Sequence, residues 1–432
     1  MKEYAAESER TSSIHNSFQP IRAIESLQRW LVAAAFFNLF LVSCLGVLLR
    51  AQPFLNSFPL QYKNMLHGHS HFAFGGWIMP VLLSLMLHYF PNVSKQIPYM
   101  HWRNIALLLL LSAYGMLFSF PFQGYKAVSI SFSTVSVIAG FYMAVVVWRA
   151  LAKMAASPAT QFLKWGLIYL SLSAIGPFAT GPLVVMGYQG TPLYYNAVYF
   201  FLHFQYNGWF TFAVLALLYK MLEEKGRGAN GRKVFWLFNS ACVPAYFLST
   251  LWMQPSPVLN WLGGLAAVLQ LAGVYYLLND VVPFTWTHRS WKFLFYLSIT
   301  AFALKNMLQL ASAFPAVAII AYGYKNFVIA YLHLVLLGFI SLFAFGAVAQ
   351  GWSFKMNASF RIGLLVFLIA FTITELILVA HASAGALNFY LPHISLLLFL
   401  FSIGMWVGLL LLFASVRRNV YVHSFDRNTD AM

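Results

Sequence analysis

Twelve apolar runs, each long enough to cross a bilayer, leave almost no chain for anything else. They lie near 29–49, 66–90, 103–121, 127–148, 163–184, 194–219, 234–252, 257–279, 291–313, 326–350, 361–381 and 391–416. A spanning helix needs about 20 mostly apolar residues. Lipid offers no partner to an unpaired backbone group, so each run is expected to be a helix. Of the 432 residues 61% are hydrophobic and 8% charged, where soluble domains carry about 25% charged residues. The expectation is an all-α, polytopic membrane protein with a cytoplasmic N-terminal tail (1–28), a twelve-helix membrane domain (29–416) and a cytoplasmic C-terminal tail (417–432). The first 28 residues are polar and mixed in charge, without the basic-then-apolar layout of a cleaved signal. Cys44 and Cys242 fall inside apolar runs and form no CxxC spacing, which argues against thiolate metal sites and a disulfide framework.

The net charge of +16 is a topology signal. The N-terminus, the loops after helices 2, 4, 6, 8 and 10, and the C-terminus hold twenty-one Lys and Arg; the opposite loops hold four, and Lys305 lies within helix 9. The positive-inside rule then places both termini in the cytoplasm, in a cell inner membrane. A nucleic-acid reader would gather its basic residues on one folded domain, and none is present. Residues 220–233 (KMLEEKGRGANGRK) form the only real linker, an exposed turn by its Gly and charge content.

Histidine carries the chemistry. His15, His101, His288 and His423 fall in cytoplasmic segments, and His88 at the inner end of helix 2. The other seven lie on helices near the outer face: His67, His69 and His71 on helix 2, His203 on helix 6, His333 on helix 10, His381 on helix 11 and His393 on helix 12. Three share a pattern of His, four residues, Gly, then Trp or Phe: HFAFGGW from His71, HFQYNGW from His203 and HLVLLGF from His333. The separations are 132 and 130 residues, and the helices are the second of each successive group of four. Self-similarity at a fixed period marks a repeated architecture, here three pseudo-repeated groups of four helices.

Neutral imidazole is the usual nitrogen ligand of haem iron. Gly76 and Gly338, five residues on, remove a side chain where a flat macrocycle or a neighbouring helix approaches. The three histidines as a set therefore read as ligands, although any one of them taken alone fits a hydrogen bond to a neighbour equally well. His67 and His69 read as metal ligands or as interfacial, solvated side chains. His381 and His393 flank the short outer loop and suit capping or interfacial roles.

With these motifs the chain resembles the haem–copper oxidase superfamily, catalytic subunit I, across all twelve helices in topology and specifically around helices 2, 6 and 10. The resemblance implies a low-spin haem held by one histidine of His67, His69 and His71, with His71 taken as the partner, and by His333. It places His203 where the family has a copper ligand. The run HFQYNG is similar to that of the nitric oxide reductase branch, with Asn207 in the place of a Glu. Helix 7 (VFWLFNSACVPAYFLSTLW) has no histidine where the family carries a copper-binding pair, and Tyr331 stands where the family has the ligand of a second haem. Tyrosinate ligates haem in some proteins, but near a helix end Tyr is more often an interfacial anchor. The twelve-helix, haem-containing nitric oxide response proteins are similar in general plan. The implied reading is a redox protein with one bis-histidine haem, b-type, an altered second metal centre with copper as its metal, and a cytochrome or quinol as electron donor. As an enzyme it would be a respiratory-type oxidoreductase.

Lys305 and Glu375 are the two Lys, Arg, Asp or Glu residues deep in apolar runs. They suit an ion pair with each other, a propionate partner (Lys305), a proton relay (Glu375) or a water-solvated cavity. Two other functions compete. A secondary transporter repeats as two six-helix halves, whereas this chain repeats in thirds. An outer-face copper or zinc handling protein would use the run HGHSH (67–71). Alternate helical positions turn by about 200°, so those three histidines chelate together only if the stretch is unwound. No GxSxG, Walker loop or HExxH is present.

Overall fold

The computed structural model describes the backbone of residues 2–55, 60–284, 289–354 and 357–429, with side chains for 22–55, 60–284, 291–354 and 357–419. Among these, every regular element is helical. His288 and the side chains of His15 and His423 lie outside the described residues. The main helices are α1 (Lys2–Ala51), α2 (Tyr62–Tyr89), α3 (Tyr99–Gln123), α4 (Ala127–Leu151), α5 (Pro158–Val185), α6 (192–223), α7 (Gly231–Met253), α8 (Pro257–Val281), α9 (Arg289–Ala311), α10 (Lys325–Gly351), α11 (Ala358–Ala386) and α12 (Ile394–Thr429). Eleven of them are long and apolar enough to cross a membrane. The one left out is α6, equally long but diluted by Asn196, His203, Gln205 and Asn207 and, less strongly, by five tyrosines. The apolar runs fall on these helices to within a few residues. The N-terminal tail continues as part of α1, which begins at Lys2.

Three helices occupy the centre. α2 packs on α1 and α3, α6 on α5 and α7, and α10 on α9 and α11, while α2 touches both α6 and α10, and α6 meets α10. Neighbour contacts also join α3 to α4, α4 to α5, α7 to α8, α8 to α9, α11 to α12 and α12 to α1. Burial follows this plan. In the second halves of the central helices, 10 of 11 residues are buried in Met79–Tyr89, 11 of 13 in Thr211–Glu223 and 8 of 10 in Leu342–Gly351. The first halves stand apart: Pro192–His203 buries only His203, and Lys325–His333 only Ala330. Peripheral helices expose Leu111, Phe118 and Phe122 of α3 and Trp261 and Leu265 of α8, the surface an apolar solvent requires.

Between the two halves, each central helix widens into a π turn. The π segments are Ala73–Ile78 in α2, Phe204–Phe210 in α6 and Leu334–Ser341 in α10. π-Helix makes up well under 1% of residues in ordinary proteins and gathers at functional sites. All three segments begin within two residues of a repeat histidine and contain its glycine and aromatic. A π turn breaks the i→i+4 ladder and frees carbonyls, which must find other donors in an apolar interior. Side chains supply them: Asn38 Nδ2 donates to Gly76 O at 2.7 Å, Thr211 Oγ1 to Tyr206 O at 2.6 Å, Ser341 Oγ to Leu336 O at 2.7 Å and Ser298 Oγ to Phe339 O at 2.7 Å.

The motif aromatics then tie the helices together. Trp77 Nε1 donates to Ser341 Oγ at 2.8 Å, joining α2 to α10, and Trp209 Nε1 reaches Met79 Sδ at 3.0 Å, joining α6 to α2. Phe339 has no N–H and stacks on Phe302 of α9, centroids 4.5 Å apart. The motif glycines serve close approach. A Cβ on Gly208 would lie 2.6 Å from Tyr169 Cβ of α5, one on Gly338 3.2 Å from Ala301 Cβ of α9, and one on Gly76 2.6 Å from the Phe72 ring of its own helix. Of the two approaches expected at these glycines, a macrocycle or a neighbouring helix, Gly338 meets the helix, and Gly76 meets a ring of its own helix.

Candidate functional site

Helical geometry divides the three histidines of α2. The stretch Tyr62–Phe72 is a regular α-helix, not unwound, so His69 points away from His67 and His71. His69 faces α1, where its Nδ1–H donates to Val42 O at 3.1 Å beside Gly46. It lies within electrostatic reach of His333 and Arg50. His333, at the end of the first half of α10, pairs through Nδ1 with Glu375 Oε1 of α11 at 3.1 Å; the two side chains are 25% and 16% exposed. Arg50, at the end of α1, is within electrostatic reach of Glu375.

The result is a four-helix site with a common design. Each imidazole has its Nδ1 anchored, one to a backbone carbonyl and one to a carboxylate, and neither Nε2 makes a hydrogen bond among the described residues. Histidines that bind metals almost always donate their other ring N–H to such an acceptor, which fixes the tautomer and aims the free nitrogen. Glu375, read from sequence as an ion-pair or proton-relay residue, is here the partner of a candidate ligand. The pair Lys305–Glu375 is not formed.

His71 goes elsewhere. Its ring lies flat on Phe120 (centroids 4.4 Å, interplanar angle 3°), and its Nε2 shares a 2.8 Å hydrogen bond with the Tyr125 hydroxyl. His67, one turn earlier on the same face, meets Tyr125 edge-on with centroids 4.8 Å apart. Of the two, it is His69 and not His71 that lies within electrostatic reach of His333.

His203 is 1% exposed and has both nitrogens engaged. Asn207 Nδ2 donates to its Nδ1 at 3.1 Å, and its Nε2–H donates to Cys242 O at 2.8 Å. The reason lies in α7. Pro244 has no N–H, and α7 changes from α-helix (Gly231–Cys242) to a 3₁₀ run (Pro244–Met253). The Tyr246 N–H then bonds Val243 O, which strands the Cys242 carbonyl that an α-helix would have paired with it. His203 fills that gap, with no lone pair left for a metal.

Lys305 is 1% exposed on α9, with its ammonium 5.7 Å from the Phe302 ring centroid and within electrostatic reach of His203 and Cys242. The amide oxygens of Asn207 (α6), Gln270 (α8), Asn306 and Gln309 (α9) are buried without a hydrogen bond. Tyr331 faces Tyr206 across the α6–α10 contact, ring centroids 6.1 Å apart. His381 accepts from Asn326 Nδ2 at 2.7 Å, and the His393 carbonyl accepts from Leu397 N–H at 3.0 Å where α12 begins. His88 packs at a tilt against Trp352, and the Tyr142 hydroxyl bonds His101 at 2.6 Å.

No group of three His, Cys, Asp or Glu side chains among the described residues is placed to hold a metal ion. Sequence reasoning missed Tyr125, Val42 and Arg50 as neighbours of the histidines. The repeat of His, Gly and aromatic did mark the π turns, but as a spacing without a geometry. No known family model matches the chain, and no curated protein matches it in sequence.

Proposed function

We propose that the chain is a twelve-helix protein of the cell inner membrane that binds one haem between His69 and His333 and carries electrons through it. The observation that carries this reading is the pair of imidazoles on α2 and α10, within electrostatic reach of each other, each with its Nδ1 anchored and its Nε2 free of hydrogen bonds among the described residues. The donor set suits haem iron, for which two neutral imidazoles are a common axial pair. The chain lacks CxxCH, so the group would be held without thioether bonds, as b-type haem is. When bound, haem supplies one-electron redox chemistry. The protein's part is to fix both rings, with Glu375 raising the basicity of His333 and Arg50 nearby as a cation for an acidic substituent. Electrons would come from a quinol or a cytochrome.

The rest of the plan follows from the same features. The π turn of α6 matches those of α2 and α10, and α6 packs at the centre with them, which supports its counting as a twelfth span. With α6 included, the helices fall into three groups of four, whose middle members meet at the centre. The Lys and Arg distribution puts both termini in the cytoplasm. An arrangement in thirds weighs against a transporter built of two halves. The engaged nitrogens of His203 and the histidine-free α7 leave no copper site between α6 and α7, so the proposal has a single haem. Unpartnered amide oxygens on α6, α8 and α9 favour a water-solvated setting for Lys305.

A reduced-minus-oxidised spectrum of the purified protein in detergent tests the haem. A sharp low-spin α-band is expected in the wild type and in His71→Ala, and its loss in His69→Ala and in His333→Ala. A spectrum without haem, or a band that depends on His71 and not on His69, would overturn the reading.

A further inference from the structure

We propose that His67, His71 and Tyr125 form a separate binding site for a divalent late transition ion of the copper–zinc class. The site does not rest on the haem reading, since it uses the opposite face of α2.

Histidines four residues apart on a regular helix project side by side, with Cβ atoms about 5–6 Å apart, and imidazole suits Cu(II) and Zn(II). His67 and His71 are such a pair, on a stretch that is regular α-helix. The third donor comes from the turn between α3 and α4. Tyr125 sets its hydroxyl 2.8 Å from His71 Nε2 and its ring 4.8 Å, centroid to centroid, from that of His67. One tyrosine therefore bonds one imidazole through its oxygen and lies ring to ring against the other, the start of a mixed nitrogen and oxygen set of the kind Cu(II) takes in tetragonal geometry.

The setting is built rather than incidental. Tyr125 follows Gly124, whose φ of +62° only glycine adopts without strain, and a Cβ there would lie 2.5 Å from Asn64 Oδ1 of α2. The turn is pinned by Gly124 N–H to Phe120 O at 2.8 Å, by Lys126 N–H to Gly124 O at 3.0 Å, and by the Ser129 hydroxyl on Gly124 O. Gly68 lets α2 close on α3: a Cβ there would meet Pro121 Cγ at 2.9 Å. Phe120 stacks flat on His71 and fixes its ring plane. Tyr125 and His71 are thus held by rigid neighbours, and His67 projects beside His71 from the same helix face, the start of a preorganised site. The His71–Tyr125 hydrogen bond is the metal-free resting contact; an ion would displace the proton between them. Lys63, one turn before His67 and within electrostatic reach of it, is exposed on a flexible stem.

The test is titration of the purified full-length protein with Cu(II), followed by electron paramagnetic resonance and visible absorption. One equivalent should bind with hyperfine structure from two imidazole nitrogens and a phenolate-to-copper charge-transfer band. Tyr125→Phe, which keeps the ring packing, should abolish that band. His67→Ala and His71→Ala should each weaken binding by at least about tenfold, while His69→Ala leaves it unchanged. Retention of monodisperse size-exclusion behaviour in Tyr125→Phe separates ligation from folding. No bound copper, or binding that survives the loss of both His67 and His71, would overturn the proposal. A haem band retained in the His67 and His71 variants shows that the two sites fail or stand separately.

Discussion

Replacing His203 by alanine separates a metal ligand from a structural histidine. In the structure this imidazole satisfies two buried groups, the Cys242 carbonyl stranded by the switch to 3₁₀ geometry and the Asn207 amide. The variant leaves both without a partner. Each buried, unpaired polar group costs about 1–3 kcal/mol, so the pair amounts to about 2–6 kcal/mol before any cavity is counted. Net stabilities of about 5–15 kcal/mol make this a large fraction of the whole. The assay is the thermal midpoint in detergent, read by intrinsic fluorescence alongside metal analysis. The midpoint should drop by several degrees in His203→Ala, with metal content unchanged from wild type. His203→Gln, which can still donate to Cys242 O, should fall between the two. A His203→Ala protein as stable as wild type, or one that loses a stoichiometric copper, would refute the reasoning.

Three further outcomes follow from the geometry. Glu375→Gln replaces the carboxylate at His333 Nδ1 with a neutral amide, which makes His333 a weaker donor; the haem midpoint potential should rise by on the order of 60 mV, the one-electron equivalent of a tenfold change in relative affinity, in a redox titration. Gly208→Ala forces a Cβ to within 2.6 Å of Tyr169 Cβ and should cost about 1–3 kcal/mol, whereas Gly181→Ala, with nothing within 4 Å, should leave the melting midpoint unchanged or slightly raised. Reporter fusions at both termini and within 224–230 should be active only in the cytoplasm and one within 187–191 only outside; a cytoplasmic N-terminus with 224–230 outside would show that α6 does not span.

Much of the fold was legible because lipid makes hydropathy and helix nearly synonymous. The apolar runs mark the helices, and α6 is marginal for a physical reason, since Asn196, His203, Gln205 and Asn207 lower its hydropathy while leaving it helical. The site was legible in part. His333 and Glu375 stood out separately, and nothing in their spacing of 42 residues pairs them; only the packing of α10 on α11 does so. Choosing among His67, His69 and His71 needed the rotation of α2 relative to α1 and α3. The repeat motif singled out His71 because it matches His203 and His333 in spacing, yet equal spacing from a glycine does not give equal surroundings. His203 looked like a ligand because Pro244, the residue that explains it, lies on another helix 41 positions away.

The π turns also set an angular constraint on this chain. Each accommodates residues that a plain α-helix of the same span would not. The second halves of α2, α6 and α10 are locked by burial, so a one-residue deletion in 73–78 would be absorbed by the first half of α2. That half would rotate by about 100° and move by about 1.5 Å. His69 would leave the Val42 carbonyl and His71 would leave Tyr125 in a single step, with hydropathy unaltered. The three stretches 73–78, 204–210 and 334–341 should therefore tolerate many apolar substitutions while rejecting changes in length.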